Sequence, residues 1–196
     1  RVAALVAAAA RLVFPVALRN FMQCGHWVWM STNDGVNLYL GNGLNWRANL
    51  SIQPGLDWDK LVRAPYSEGD AKDDVGAARW FRQQTAREMW CDPAGAAERL
   101  ALKAVAFWHG REIPRNLDLY GWRSESVLLR ATVWHLNAYF PVGLLVPLAV
   151  AGVIALRRRR EGVFLATALV AFGLFVALFF PCSRYRVPVL PVLVVL

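Results

Sequence analysis

Cysteine, histidine and methionine are scarce in this 196-residue sequence, at three of each. Cys24, Cys91 and Cys182 form no Cys-x-x-Cys pair, and His26, His109 and His135 lack the short spacing that puts two imidazoles on one helix face. No metal site is indicated by these residues. A glycine-rich phosphate loop and a nucleophile elbow are also missing, so soluble nucleotide enzymes and thiol oxidoreductases find no support. Charge is absent altogether from residues 139–156 and 163–180, two stretches of 18 residues without Asp, Glu, Lys or Arg.

What is present is apolar: 57% of the residues are hydrophobic and the mean hydropathy is +0.32, too high for an ordinary soluble domain. At a helical rise of about 1.5 Å per residue, each uncharged stretch reaches about 27 Å, close to the ~30 Å hydrocarbon core of a bilayer. They are read as spanning helices rather than buried core helices, because the rest of the chain offers too few amphipathic partners to bury both. Residues 1–18 form a third apolar segment, interrupted by Arg11, and 187–196 begin a fourth. The chain starts without Met and stops while still apolar, so it reads as part of a longer polytopic membrane protein. The expected fold class is mainly α, with transmembrane helices and a small mixed helix-and-loop domain outside the membrane.

A formal net charge of +8 raises the question of nucleic acid, and the charge distribution answers it. Residues 19–138 carry 14 basic against 13 acidic side chains, so the excess belongs to the ends of the apolar segments. Arg157, Arg158, Arg159 and Arg160 fill the connection 157–162 between two spans, where an Arg excess marks the cytoplasmic side. Parity then places 19–138 and the short 181–186 connection together on the extracytoplasmic face. Nucleic acid is not expected as a partner; membrane lipids are.

The outer segment holds all nine tryptophans, which suit a membrane interface. Its β-favouring residues around Ser31-Thr32-Asn33-Asp34-Gly35 predict two short extended pieces joined by a turn, and 42–71 reads as loop. Asp73 or Asp74 is expected to cap a helix reaching about Trp90. Asp92-Pro93 should start another, with Gly110 near its end. In this second helix Ala97, Leu100, Ala101, Ala104, Phe107 and Trp108 define an apolar face. All three cysteines fall on the outer side, where a Cys24–Cys91 disulfide is chemically permitted. Asn49-Leu50-Ser51 is a glycosylation sequon, relevant in a glycosylating host.

Ser183-Arg184-Tyr185-Arg186 is the most informative stretch. It puts two guanidiniums at the outer membrane edge, where orientation does not require them and desolvation is costly. A lipid phosphate would supply paired, charge-assisted hydrogen bonds, whereas the simpler role is helix anchoring by snorkelling.

Taken with Pro15-Val16-Ala17-Leu18-Arg19-Asn20 and with Ser31 through Asn42 (STNDGVNLYLGN), this stretch resembles the later half of family-39-like bacterial glycosyltransferases of the GT-C superfamily. These are relatives of protein mannosyltransferases and of the lipid A aminoarabinose transferase. Three departures stand out: Val16 where the family usually has Trp, Asp34 where it often has Gly, and Gly43-Leu44 where Asn-Pro is common. The resemblance implies an extracytoplasmic active site in the inner membrane, a polyprenyl-phosphate-linked sugar as donor and an inverting displacement. It implies donor-phosphate binding by Arg184, Tyr185 and Arg186, with Arg19 and Asn20 as a further contact. Asn33, Asp34 and Asn37 would hold the turn. The acceptor-side carboxylate of such enzymes lies in an earlier outer loop, upstream of the stretch resembled here, so the catalytic base is not named and this chain by itself is expected to be inactive. A divalent cation stays open. The alternative is a non-enzymatic membrane component of lipid-carrier or polysaccharide assembly.

The topology has a direct check. With Cys24, Cys91 and Cys182 replaced by Ser, a cysteine at Glu68 should react with an impermeant maleimide in intact cells, and one at Glu161 should react only after permeabilisation.

Overall fold

The computed structural model describes residues 2–51, 55–111, 113, 120–133 and 139–196, and among these the chain is mainly helical and contains no strand. Trp134 and His135 lie outside the described residues, as do the side chains of the Asn49-Leu50-Ser51 sequon.

Helix α1, Val2–Cys24, runs one and a half turns beyond the expected apolar segment. Nothing from Arg19 to Cys24 breaks a helix. The stop comes at Gly25, which takes φ 71° and donates its N–H to the Phe21 carbonyl at 2.8 Å.

The turn expected at Ser31–Gly35 is instead the start of α2, Asn33–Asn42. Ser and Asp residues that favour turns also favour helix N-termini: Ser31 Oγ accepts the Asn33 N–H at 3.1 Å, and Asp34 sits in the positive first turn. Val36 and Leu40, four apart, then meet one neighbouring cluster, a helical spacing rather than the alternation of a strand. Gly35 lets α2 cross α5 at backbone contact, since a Cβ there would lie 2.3 Å from the Ala78 carbonyl oxygen.

The segment expected as loop contains α3, Trp46–Ser51, and α4, Leu56–Ser67. Tertiary burial supports α4: Trp58 and Leu61 pack on the cluster of Leu40, Phe180 and Cys182. The next two starts agree with the sequence. Asp73 accepts the Gly76 N–H at 2.7 Å to cap α5, Asp74–Cys91. Asp92 accepts the Gly95 N–H at 2.9 Å to cap α6, Pro93–Trp108. That N–H, with Arg99 at 3.2 Å, holds the Asp92 carboxyl below the usual carboxylate range. All three cysteines are free, so the permitted Cys24–Cys91 bridge is not made.

The buried face of α6 matches the expected one in part: Phe107 is buried and Leu100, Ala104 and Trp108 are half-buried. Ala96, Arg99, Lys103 and Phe107 point inward, whereas Ala97 and Ala101 are exposed. Lys103 is turned inward to the Asn42 oxygen and the Phe179 carbonyl, whereas Arg99 reaches Asp92 at the start of its own helix.

Beyond a 3-10 turn at Trp122–Ser124 and the short α7, Val127–Thr132, come α8, Val142–Leu156, and α9, Arg160–Leu178. Arg160 and Glu161 belong to α9, which shortens the basic turn. Among the described residues α9 is the one helix long and apolar enough to cross a membrane; α8 is apolar but only 15 residues long. A 3-10 segment, Ser183–Val189, leads into α10, Leu190–Val195. Phe107, Ala149, Leu169, Val176, Val189 and Leu193 join α6, α8, α9 and the 183–195 segment in one apolar cluster.

The C-terminal end of α9 is tied to α2 and α6. Its late carbonyls have no partner inside the helix. Asn42 Nδ2 donates to the Leu178 carbonyl at 2.7 Å, and Lys103 Nζ donates to the Phe179 carbonyl at 3.0 Å and to Asn42 Oδ1 at 2.7 Å. Gly41 makes room, because a Cβ there would sit 1.7 Å from the Phe179 oxygen. Lys103 is fully buried, and burial, followed by the nearby Arg99 charge, lowers its pKa from 10.5 to about 8.

Asn42→Leu strands the Leu178 carbonyl and takes an acceptor from a buried ammonium. The expected loss is about 2 to 4 kcal/mol in detergent-solubilised protein, read by thermal or denaturant unfolding. The sign of the pH effect follows from the lowered pKa: between about pH 8 and 10.5 the unfolded chain still holds the proton that the folded chain has released. Stability from this group therefore rises with pH across that window, by about 1.4 kcal/mol per unit at most. Lys103→Met should flatten that part of the stability profile.

Candidate functional site

Ser31 and the first turn of α2 face the C-terminal half of α9 across a cavity of about 580 Å³. Ser31, Asn33, Asp34 and Asn37 form one side; Phe172, Phe175, Val176 and Phe179 form the other; Phe180 and Tyr185 also line it. The helical start of α2 explains the polar side, since Asn33 and Asn37 are one turn apart and share a face. The periodicity of α9 explains the apolar side in the same way, with residues 172, 175, 176 and 179 on one stripe. A cavity with one amide-rich wall and one aromatic wall suits an amphipathic ligand.

The two motifs that sequence places about 150 residues apart thus meet at one cavity, through Ser31–Asn37 and Tyr185. Their members differ in what they are free to do. The exposed Asp34 pairs with Arg82, both about half-exposed. Asn37 is half-buried, and its amide makes no hydrogen bond among the described residues. Tyr185 packs beside the Phe180 ring, with centroids 5.8 Å apart.

The structure separates the two arginines. Arg184 is exposed, with its guanidinium 5.0 Å from the Tyr185 ring centroid and Nη2 3.2 Å from the phenol oxygen. Arg186 is 2% exposed and turned inward. Its Nη2 donates to the Ala106 carbonyl at 2.6 Å and its Nη1 to the Arg111 carbonyl at 2.8 Å. It therefore caps the C-terminal end of α6, where a positive charge also opposes the helix dipole. Ser183 fixes the same region by accepting the Ile113 N–H at 2.8 Å.

Arg19 and Asn20 are not brought to this cavity. Arg19 is exposed on α1. Asn20 donates to the Val28 carbonyl at 2.9 Å and lines a second cavity of about 310 Å³, bounded by the end of α1 and the start of α5. That second cavity shares Met30 and Ser31 with the first.

Sequence reading missed the aromatic wall of α9, because a phenylalanine stripe in a spanning helix is ordinarily lipid-facing or core. It also missed Lys103, whose signal was a lone Lys four residues before Phe107 on a helix with ample apolar surface. Among the described residues no group of three His, Cys, Asp or Glu side chains is arranged to hold a metal ion. Compared with protein-family models, curated proteins and solved structures, the chain matches none.

The different settings of the two arginines predict different phenotypes. Arg186→Gln loses charge-assisted bonds of roughly 1.5 to 3 kcal/mol each and should clearly lower the unfolding midpoint. Arg184→Gln should leave stability within about 0.5 kcal/mol of wild type, as for most exposed positions.

Proposed function

We propose that this chain is part of a polytopic membrane glycosyltransferase that takes a sugar from a polyprenyl-phosphate donor and transfers it to an acceptor at the extracytoplasmic face. The single observation that carries this reading is the amphipathic cavity, where the Ser31–Asn37 segment and Tyr185 meet an aromatic face of α9. A polyprenyl chain needs an apolar wall reachable from the bilayer, and a phosphosugar needs polar groups next to it; both chemistries border this one space.

The membrane setting is supported by unburied apolar surface. Phe164, Val170, Leu174 and Phe175 on α9 and Leu148 and Ile154 on α8 are all more than half exposed, a surface that water disfavours and lipid accepts. Four consecutive arginines, three between α8 and α9 and Arg160 at the start of α9, orient the pair with that connection in the cytoplasm. The cavity then lies at the outer end of α9.

In this reading Arg184 and Tyr185 bind the donor phosphate and stabilise the charge that develops on it as the glycosidic bond breaks. Arg184 has the exposure and the planar fork for the task. Arg186 holds the loop that presents them, as a positioning residue. Asn37 orients the bound donor from the opposite wall.

The test is transfer of radiolabelled sugar from a polyprenyl-phosphate donor in membranes containing the protein that carries this chain. Arg184→Gln should reduce transfer about ten- to a hundredfold, the loss of one charged hydrogen bond, with membrane insertion intact. Arg184→Lys should recover only part of it. Wild-type transfer by Arg184→Gln would overturn the phosphate-binding role, and absence of transfer by wild type with saturable binding of the lipid would favour a non-enzymatic carrier component.

A further inference from the structure

The second cavity differs from the first in kind. Its polar lining comes from Asn20, Gln23, Ser31, Thr32, Asp73 and Asp74: two amides, two hydroxyls and two carboxylates. Among the described residues no Lys or Arg lines it. At the surface His26 Nε2 lies 3.6 Å from Asp73 Oδ2.

This composition discriminates between ligands. A phosphate would meet two carboxylates and no guanidinium, and Asp73 and Asp74 already occupy the positive end of α5. A hydrocarbon chain would strand polar groups. Hydroxyl groups are what amides and carboxylates together satisfy, since each hydroxyl donates one hydrogen bond and accepts others. At about 310 Å³ the space lies at the lower end of small-molecule sites, roughly 300 to 1,000 Å³.

Its position adds a second constraint. Ser31 and Met30 belong to both cavities, so the second space adjoins the polar side of the first. Part of the lining is already committed to the fold: Asp73 caps α5, Asp74 accepts from Tyr66 at 2.8 Å, and Asn20 holds Val28. Gln23 and Thr32 have side chains without such a task among the described residues, which leaves them to a ligand.

We infer that the cavity between the end of α1 and the start of α5 is a sugar subsite, taking the polyhydroxyl head of a lipid whose chain lies on the aromatic wall of α9. The inference rests on the lipid-linked donor reading above and adds to it where the sugar binds and through which residues. Gln23 and Thr32 are its specificity-determining groups.

Binding separates the two ideas. The probes are decaprenyl phosphate and decaprenyl-phosphate hexoses of several kinds, titrated by tryptophan quenching against the protein in nanodiscs. Wild type should bind at least one hexose-bearing lipid more tightly than the bare phosphate lipid. Gln23→Leu and Thr32→Val should each weaken that hexose lipid about three- to tenfold, the worth of one neutral hydrogen bond, and leave the bare lipid unchanged. Phe175→Ala should weaken both lipids alike. If wild type binds bare and hexose-bearing lipids equally, or if the Gln23 and Thr32 variants do not discriminate between them, the sugar subsite is refuted while the lipid-binding reading stands. If wild type binds neither class of lipid, both fall together.

Discussion

The C-terminal end of α9 is where three parts of the chain depend on one another. A helix ends with carbonyls that have no partner of their own, and in a protein that buries this end each would cost about 1 to 3 kcal/mol if left bare. Asn42 and Lys103 supply the donors for Leu178 and Phe179, and Gly41 allows the approach. A buried ammonium is itself expensive, and it is accepted because its acceptors include Asn42 Oδ1 and the negative end of a helix. The result fixes α2 and α6 against α9 at a single height. The cavity follows from that docking, since its polar wall is the start of α2 and its apolar wall is α9.

Arg186 repeats the same device at the end of α6. Its guanidinium meets Ala106 and Arg111 carbonyls, so each of the two helix ends is closed by a cation from elsewhere in the chain. Closing α6 in this way also fixes the backbone of the 183–189 segment, which leaves Arg184 outward and Tyr185 at the cavity. Two arginines separated by one residue thus differ in role because the 3-10 backbone, at about three residues per turn, sends them to different sides.

Much of the helix framework was legible from local signals. Asp73 and Asp92 announced α5 and α6 because a capping carboxylate acts within three residues, and the uncharged stretches announced α8 and α9 because hydropathy is a property of the segment itself. The reading failed where local signals serve two structures. Ser31-Thr32-Asn33-Asp34 fits a turn or a helix start, and packing against Ala78 decides for the helix. The Trp58 and Leu61 helix was invisible because its partner Phe180 lies more than 100 residues away.

By itself the sequence determined the apolar segments, the basic connection between two of them, the capped helix starts and the short motifs that carry the family resemblance. These depend on composition and on interactions spanning a few residues. Only the tertiary structure decided that Lys103 is a buried cap, that Arg184 and Arg186 part company, and that Ser31–Asn37 and Tyr185 border one cavity against the phenylalanines of α9. Each of these is a meeting of residues tens of positions or more apart, or a choice between faces of one helix. Such outcomes are set by which partner offers an acceptor or an apolar surface, and no local pattern encodes that.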